Sequence, residues 1–357
     1  MNTAQTADIL AVGMVTPVGL TARSTAAAIR AGICRTRESP CQDKNLESLL
    51  MGFLDDEHLP ALVALNEFEE GTTERYQRML RLATRALQEV SEGWQHMPPP
   101  PLILALPESR PGHLEPTGEA VVKHLVAQTG VKLAQSQSRV FRQGRAGGLL
   151  ALQHALELLR LRRATHVCVG GVDTHLDEEL LATLDGEDRL LVHGLSDGFI
   201  PGEGAAFLLL GPTSRSRRPT AAMARITGVG SGTEKGHLYS QEPYRGDGLA
   251  DAFRALFSSL PTHTEKVRCV YAGLNGEHLW SKEWGVALLR NARHFEDAHR
   301  IEHPIECIGD PGAALGPLLV GLAALGIHKG YRQGPCLAWC SSDREERAAA
   351  LVQAAVT

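Results

Sequence analysis

Two stretches of this chain are apolar on nearly every face of the helix they would form: Gly147 to Leu161 (GGLLALQHALELLRL) and Gly312 to Ile327 (GAALGPLLVGLAALGI). A helix with no polar side of any width cannot lie on a surface, so both are expected in the middle of the molecule, covered all round. Each is followed by a basic turn and an apolar strand, RRATHVCVGG after the first and HKGYRQGPCLAWC after the second. The same order of elements thus recurs about half the chain apart, with the polar run SRSRRPT at 214–220 between the copies. This predicts an internal duplication sharing one core, with helices sandwiched between sheets in a layered α/β architecture.

The rest of the chain supplies what such layers need. Residues 8–14 (DILAVGM) read as a buried strand, followed by a Thr-Pro-Val-Gly turn and a helix from Ala22 to Ala31, capped by Thr21 and stopped by Gly32. The stretch 35–73 reads as polar and irregular. Glu74 to Val90 reads as an amphipathic helix with Tyr76, Met79, Leu80, Ala83, Leu87 and Val90 on one stripe, and PLILALP, after prolines 98–101, as a short strand. With 357 residues, 43 % of them apolar and 22 % charged, the chain can cover a large core, which excludes collagen, coiled coil and disorder.

Thirty-six basic against forty-one acidic residues leave a formal charge of -5, so no overall field attracts nucleic acid or an anionic membrane. Seven scattered cysteines (34, 41, 168, 269, 307, 336 and 340) suit a reducing compartment better than a disulfide framework or a zinc site. The first residues, MNTAQTADILAVG, carry no basic n-region, and the longest apolar segment, Ala313 to Ile327, is broken by Gly316 and Pro317 and too short for a bilayer. The expectation is a cytoplasmic protein with no membrane span.

Four further segments carry a resemblance. Thr16-Pro17-Val18-Gly19, VCVGGVD at 167–173, SDGFIPGEGAAFLLL at 196–210 and GDPGAALG at 309–316 resemble successive landmarks of the β-ketoacyl synthases, which join acyl chains carried on acyl carrier protein. The most specific piece is Asp197-Gly198-Phe199 followed by Gly202-Glu203-Gly204. The landmarks keep their order over essentially the whole chain. The resemblance implies the thiolase fold, a five-layer αβαβα arrangement of two similar halves, here 1–213 and 219–357. Cap insertions are expected around 35–73 and 107–135, and the two buried helices form the central layer. It also implies a homodimer or heterodimer.

A β-ketoacyl synthase needs a thiolate at the N-terminus of the first central helix, where the dipole and backbone amides lower its pKa and hold the developing oxyanion. By the resemblance that position falls on Arg145, in RQGRAGG. The first active-site histidine falls on Gly273 in VYAGLNGEH and the second on Asp310 in CIGDPG. The lysine five positions earlier falls on Ile305, and the late glycine-rich loop appears as Trp339-Cys340-Ser341-Ser342-Asp343. Arginine cannot form an acyl thioester, so the condensing reaction is expected to be lost and no catalytic residue or cofactor is assigned. Cys307 reads as the end of a strand, and Cys168, inside a strand, as a small buried hydrophobe.

Arg145 sits on the wrong end of a helix dipole and needs an anion nearby. It either pairs with Asp310 across the old active site, turns to solvent, or binds an external carboxylate or phosphate. Asp310 is also explained as an N-cap before Pro311. The strand SQSRVFRQ at 136–143, a dimer strand by the resemblance, is polar through Arg139 and Arg142. It therefore fits polar two-fold pairing, another partner, or a solvated strand.

Other constellations have structural readings. HFEDAHRIEH (His294 to His303) reads as a solvated helix end rather than a metal site, because only His299 and His303 have i, i+4 spacing. GVGSG at 228–232 lacks a nucleotide fingerprint. Arg160, Arg162 and Arg163 suit a helix C-terminus, and arginines 215, 217 and 218 a solvated connection.

The functional expectation is a catalytically silent ketosynthase-like protein that binds a protein partner. The candidates are its own copy, an active synthase subunit as for a chain-length factor, or a secreted effector as for type VI accessory proteins, with acyl carrier protein a further one. The alternative is an acyltransferase or hydrolase in a repurposed pocket, with Asp310 as general base.

Overall fold

The computed structural model describes residues 6–63, 72–110, 112–213 and 222–355. In chain order the first half runs β1 (Ala7–Val15), α1 (Ala22–Arg30), the hairpin β2 (Thr36–Gln42) and β3 (Ser48–Gly52), α2 (Glu74–Ser91), β4 (Leu102–Leu106), α3 (Gly118–Thr129), β5 (Arg139–Arg142), α4 (Gly144–Arg160), β6 (Val167–Thr174), α5 (Glu178–Gly186) and β7 (Glu203–Pro212). The second runs β8 (Ala224–Thr233), α6 (Asp247–Ser259), β9 (Val267–Tyr271), α7 (His278–Asn291), β10 (Phe295–Glu302), α8 (Ile305–Ile308), α9 (Leu315–His328), β11 (Cys336–Ser341) and β12 (Glu346–Gln353).

The duplication is visible in the topology. Strand order is β5-β4-β6-β7-β1 in the first half and β10-β9-β11-β12-β8 in the second. In each, the three strands at the outer end are parallel, and the last two pairings are antiparallel. A short antiparallel contact of Ala7–Ile9 with Ala224–Ile226 joins the halves into one ten-stranded sheet.

Alternation along each strand sends side chains to two different cores. On β7, Ala206, Leu208 and Leu210 face the central core, where they meet Leu149, Leu152 and Leu156 of α4 and Leu318, Leu319 and Leu322 of α9. Phe207 and Leu209 face outward against Leu80 and Leu87 of α2, with Val121 and Leu125 of α3 in the same core. In the second half, Phe253, Leu256 and Trp284 of α6 and α7 cover Val270, Leu337 and Leu351 in the same way. The layers are therefore αβαβα, with α4 and α9 in the middle as their lack of a polar face requires.

Several local expectations hold. β1, α1 with its Thr21 cap, α2 and β4 lie where the pattern puts them. Others need correction. The stretch 35–73 is not irregular throughout: β2 and β3 pair there and pack on α5 through Leu49, Met51 and Leu181, while 64–71 lie outside the described residues. Phe295–Glu302 of HFEDAHRIEH form an edge strand, β10, rather than a helix end: Phe295 and Ile301 pack toward the outer core, His294 stacks on Phe257, His299 lies against Phe295 and Trp284, and Glu302 pairs with Arg332. Cys307 lies in α8, a single helical turn, rather than at a strand end. The segment 107–135 contains α3, in the place that α7 holds in the second half. The linker arginines 215, 217 and 218 lie outside the described residues.

GVGSG lies within β8. A Cβ on Gly230 or Gly232 would come within 2.2 Å of the Ala252 carbonyl or 2.1 Å of the Gly248 carbonyl, so the glycines let α6 lie directly on the strand. The central helices use the same device where they cross. A Cβ on Gly148 would meet the Pro317 ring at 2.2 Å, whereas one on Gly147 would meet only Ala105 and Gln143 at 3.5 Å. We expect Gly148→Ala to lower stability by about 2 kcal/mol through overpacking. Gly147→Ala should raise it by about 0.5–1 kcal/mol by removing glycine from a helix interior. Urea unfolding of the two variants checks this; equal effects would contradict the crossing geometry.

Candidate functional site

The starts of the two central helices meet at the C-terminal ends of β6, β9 and β11, and a cleft of about 430 Å³ opens beside them. Helix α4 begins at Gly144, three residues earlier than its apolar pattern suggests, and this places Arg145 in its first turn. Gly144 has a positive φ of 55°, and a Cβ there would press on Glu108 at 3.1 Å. The turn therefore needs glycine.

Arg145 is 6 % exposed and Asp310 2 %. Arg145 Nη1 donates to Asp310 Oδ2 at 2.9 Å, its Nε donates to the Ser341 carbonyl at 2.9 Å, and its guanidinium lies 4.4 Å over the Trp280 ring. Asp310 does two jobs at once. Its Oδ1 accepts the Gly312 N–H at 2.9 Å, bracing the entry to the short 3₁₀ turn Gly312–Ala314, whose N-cap is Pro311 rather than the expected Asp310, while Oδ2 also accepts from Asn275 at 3.0 Å. Burial works against the charge on each partner and is the largest single effect, but it is outweighed by several contributions together: the Arg145 charge with the Gly312 and Asn275 hydrogen bonds for Asp310, and the Asp310, Asp343 and Glu277 charges for Arg145. The Asp310 carboxyl is held below the usual carboxylate range and the Arg145 guanidinium is held charged.

The pair is one link in a buried chain. Asn275 and the Trp280 indole N–H both donate to Glu277 at 2.9 Å. Arg189 holds Glu277 with Nε at 2.9 Å and Asp343 with Nη1 at 2.7 Å. On the far side, Ser341 Oγ donates to Glu283, which is paired with a fully buried Arg347 at 2.7 Å. Arg347 also approaches the Trp280 ring, at 5.4 Å, so the indole is flanked by two guanidinium groups. The amides at the helix starts are already engaged. Ala146 N–H donates to Ser342 Oγ at 2.9 Å, and Ala313 N–H to Asp173 at 3.0 Å. Asp173 is itself held by Arg75 at 2.8 Å.

The other residues singled out by sequence fall around this chain. Gly273 lies two residues past the end of β9, where a Cβ would come within 2.7 Å of the Trp339 carbonyl, so no side chain fits there. Ile305 packs in the central core. Cys340, one strand position before Ser341, feels the charges of Arg145 and Asp310 but is fully buried, and burial pushes its thiol up. Cys168 is buried in β6. Arg139 lies on the edge strand β5, its guanidinium 5.0 Å over Phe141, and Arg142 pairs with Glu115 at 2.7 Å. Among the described residues, the three ligand-type side chains that cluster are Asp55, Glu57 and His58, away from His294–His303; Asp55 is held by Arg37.

Sequence reading missed Arg189, Asn275, Glu277, Trp280 and Glu108. Asn275 and Glu277 lie inside the VYAGLNGEH segment, and Asp343 ends the late loop, but nothing in their spacing signals that Arg189 joins them. Glu108 lines the cleft beside Gly144. Burial, and then the Asp343 charge, push its carboxyl up to about 7.

No family profile and no curated protein matches the sequence. Solved structures do match. A ketosynthase from module 6 of the bacillaene synthase of Bacillus subtilis 168 superposes with a TM-score of 0.77 at 14 % identity, covering 99 % of this chain and 72 % of that one. The ishigamide ketosynthase/chain length factor gives 0.77 at 14 %, covering 98 % and 99 %. The AntDE:AntF complex, a type II acyl-carrier protein with its ketosynthase, gives 0.76 at 15 %, covering 98 % and 100 %. The fold is that of the ketosynthases. In this ketosynthase-like chain the helix starts carry Arg145 and Asp310, joined to each other.

Two outcomes follow. Arg145→Met leaves Asp310 buried without its cation and is expected to cost about 3–5 kcal/mol in urea unfolding, whereas Arg145→Met with Asp310→Asn should recover much of that loss. Glu108 gives a pH signature. Its folded pKa lies above the unfolded value, so its contribution is complete below about 4.5 and is lost as pH rises to about 7. The stability of Glu108→Gln relative to the parent should therefore rise between pH 5 and 8, and a constant difference would contradict the assignment.

Proposed function

We propose that this protein works by binding rather than by acyl transfer, as a catalytically silent ketosynthase-like partner or adaptor. The observation that carries the reading is the Arg145 guanidinium, locked between Asp310 and the Ser341 carbonyl at the start of the first central helix. The resemblance assigns the acyl-accepting thiolate to that position, and a guanidinium cannot become an acyl thioester. Two features support the same reading. The Ala146 amide, placed to hold a developing oxyanion, already donates to Ser342, and the position assigned to the first histidine, Gly273, has no room for a side chain. Asp310 is a poor general base, because Arg145 and Asn275 occupy its carboxylate and hold it ionised.

The proposed partner is a protein. β5 ends the sheet, so its outer backbone edge can take a strand from a second chain. With Arg139 and Arg142 on it, that strand suits a polar contact better than an apolar one. This favours self-association or an adaptor role, including one toward a secreted effector, over a chain-length-factor-like pairing with an active synthase. The AntDE:AntF complex makes acyl carrier protein a further candidate. The two halves, 1–213 and 219–357, act as one unit in this reading, in a reducing cytoplasm. Among the described residues, no helix is long and apolar enough to cross a membrane.

One observation favours a second reading: the cleft beside the ion pair holds Glu108, whose carboxyl exchanges its proton near neutrality, as a hydrolase or acyltransferase acid–base group would. Incubation with acyl- and malonyl-loaded carrier protein separates the two. Binding alone leaves the intact mass unchanged and the thioesters unspent. A stable acyl adduct, or thioester loss that Glu108→Gln abolishes, would defeat the silent reading.

A further inference from the structure

All seven cysteines are free thiols, and four of them form two neighbouring pairs. Cys269 and Cys336 are partners across β9 and β11, and both are buried. Cys34 and Cys307 differ in access. Their Sγ atoms are 3.2 Å apart; Cys34, in the segment after α1, is exposed, while Cys307, in α8, is 7 % exposed. Arg35 N–H donates to the Cys307 carbonyl at 2.9 Å, which holds the residue after Cys34 against α8. With the Sγ atoms already 3.2 Å apart, rotation of the exposed Cys34 side chain brings them to the roughly 2.05 Å of a disulfide bond.

We propose that Cys34 and Cys307 form a site of reversible disulfide formation, filled by exchange with a low-molecular-weight disulfide such as oxidised glutathione. The Cys34 thiolate attacks one sulfur of glutathione disulfide. That S–S bond breaks, one glutathione leaves as thiolate, and Cys34 carries the other as a mixed disulfide. Cys307 gives its proton to solvent and attacks Cys34 Sγ, expelling the second glutathione as thiolate. Two protein thiols are thereby oxidised to one disulfide, and one glutathione disulfide is reduced to two thiols. Burial, and then the neighbouring Cys34, push Cys307 up to about 12, so the second step is the slow one and quickens as pH rises. The link ties the end of α1 to the turn that presents Asp310, three residues after Cys307.

The test is incubation of the full chain with oxidised glutathione at mildly alkaline pH, followed by alkylation under denaturing conditions, intact mass and peptide mapping. The expected product is two hydrogens lighter, has lost two alkylatable thiols, and carries a Cys34–Cys307 linkage that dithiothreitol removes. Cys34→Ser, a surface change, should give no linkage and no adduct on Cys307, and Cys307→Ser should stop at a glutathione adduct on Cys34, with peptide mapping separating either from an adduct on the half-buried Cys41. An unreacted parent, a parent that stops at the mixed disulfide, or a linkage joining Cys269 to Cys336 would each overturn the proposal.

Discussion

A guanidinium at the N-terminus of a buried helix meets the positive end of the helix dipole and has no water to stabilise it, so it persists only if anions and acceptors surround it. Arg145 is in that position, and much of the surrounding architecture answers its requirement. Asp310 supplies the charge, Ser341 the acceptor for Nε, and Trp280 an aromatic face. Each of these is fixed by something further out. Asp310 is held by Asn275 and by the turn into α9, Trp280 by Glu277, and Glu277 by Arg189. The chain of contacts crosses both halves of the molecule, so the two helix starts are joined chemically as well as packed together.

Much of the fold was legible because it rests on patterns that survive without context. Two helices with no polar side must lie in the middle, and the strands and turns that follow them recur in the same order. What was illegible is local and exposed. β2 carries Pro40 and alternates polar residues, and it becomes a strand only because Leu49 and Met51 of its partner β3 find α5 beneath them. Around β10, the spacing of His299 and of His303 just past the strand suggests a helix, whereas pairing with β9 and the outer-core contacts of Phe295 and Ile301 decide for a strand.

The site divides in the same way. Arg145 was visible because the resemblance puts it at the start of the first central helix, where a cation needs a partner. Asp310 was visible from the resemblance and from its Asp-Pro-Gly sequence, although the N-cap of the turn falls on Pro311. Arg189, Glu277 and Asp343 were not, since they lie far apart in the chain and each is unremarkable beside its own neighbours; only the fold makes them mutual partners. Glu108 was hidden for a different reason. Its raised carboxyl depends on burial beside the start of α4 and on Asp343, and neither is encoded near residue 108.

The central claim is that Arg145 is a locked structural cation at the start of the first central helix. Solvent exchange of its side-chain Nε–H, followed by NMR in arginine-labelled protein, reads this directly. The account predicts strong protection, since that proton is buried and donated to the Ser341 carbonyl. Exchange as fast as that of the exposed Arg23 would show a mobile, solvated arginine and contradict it.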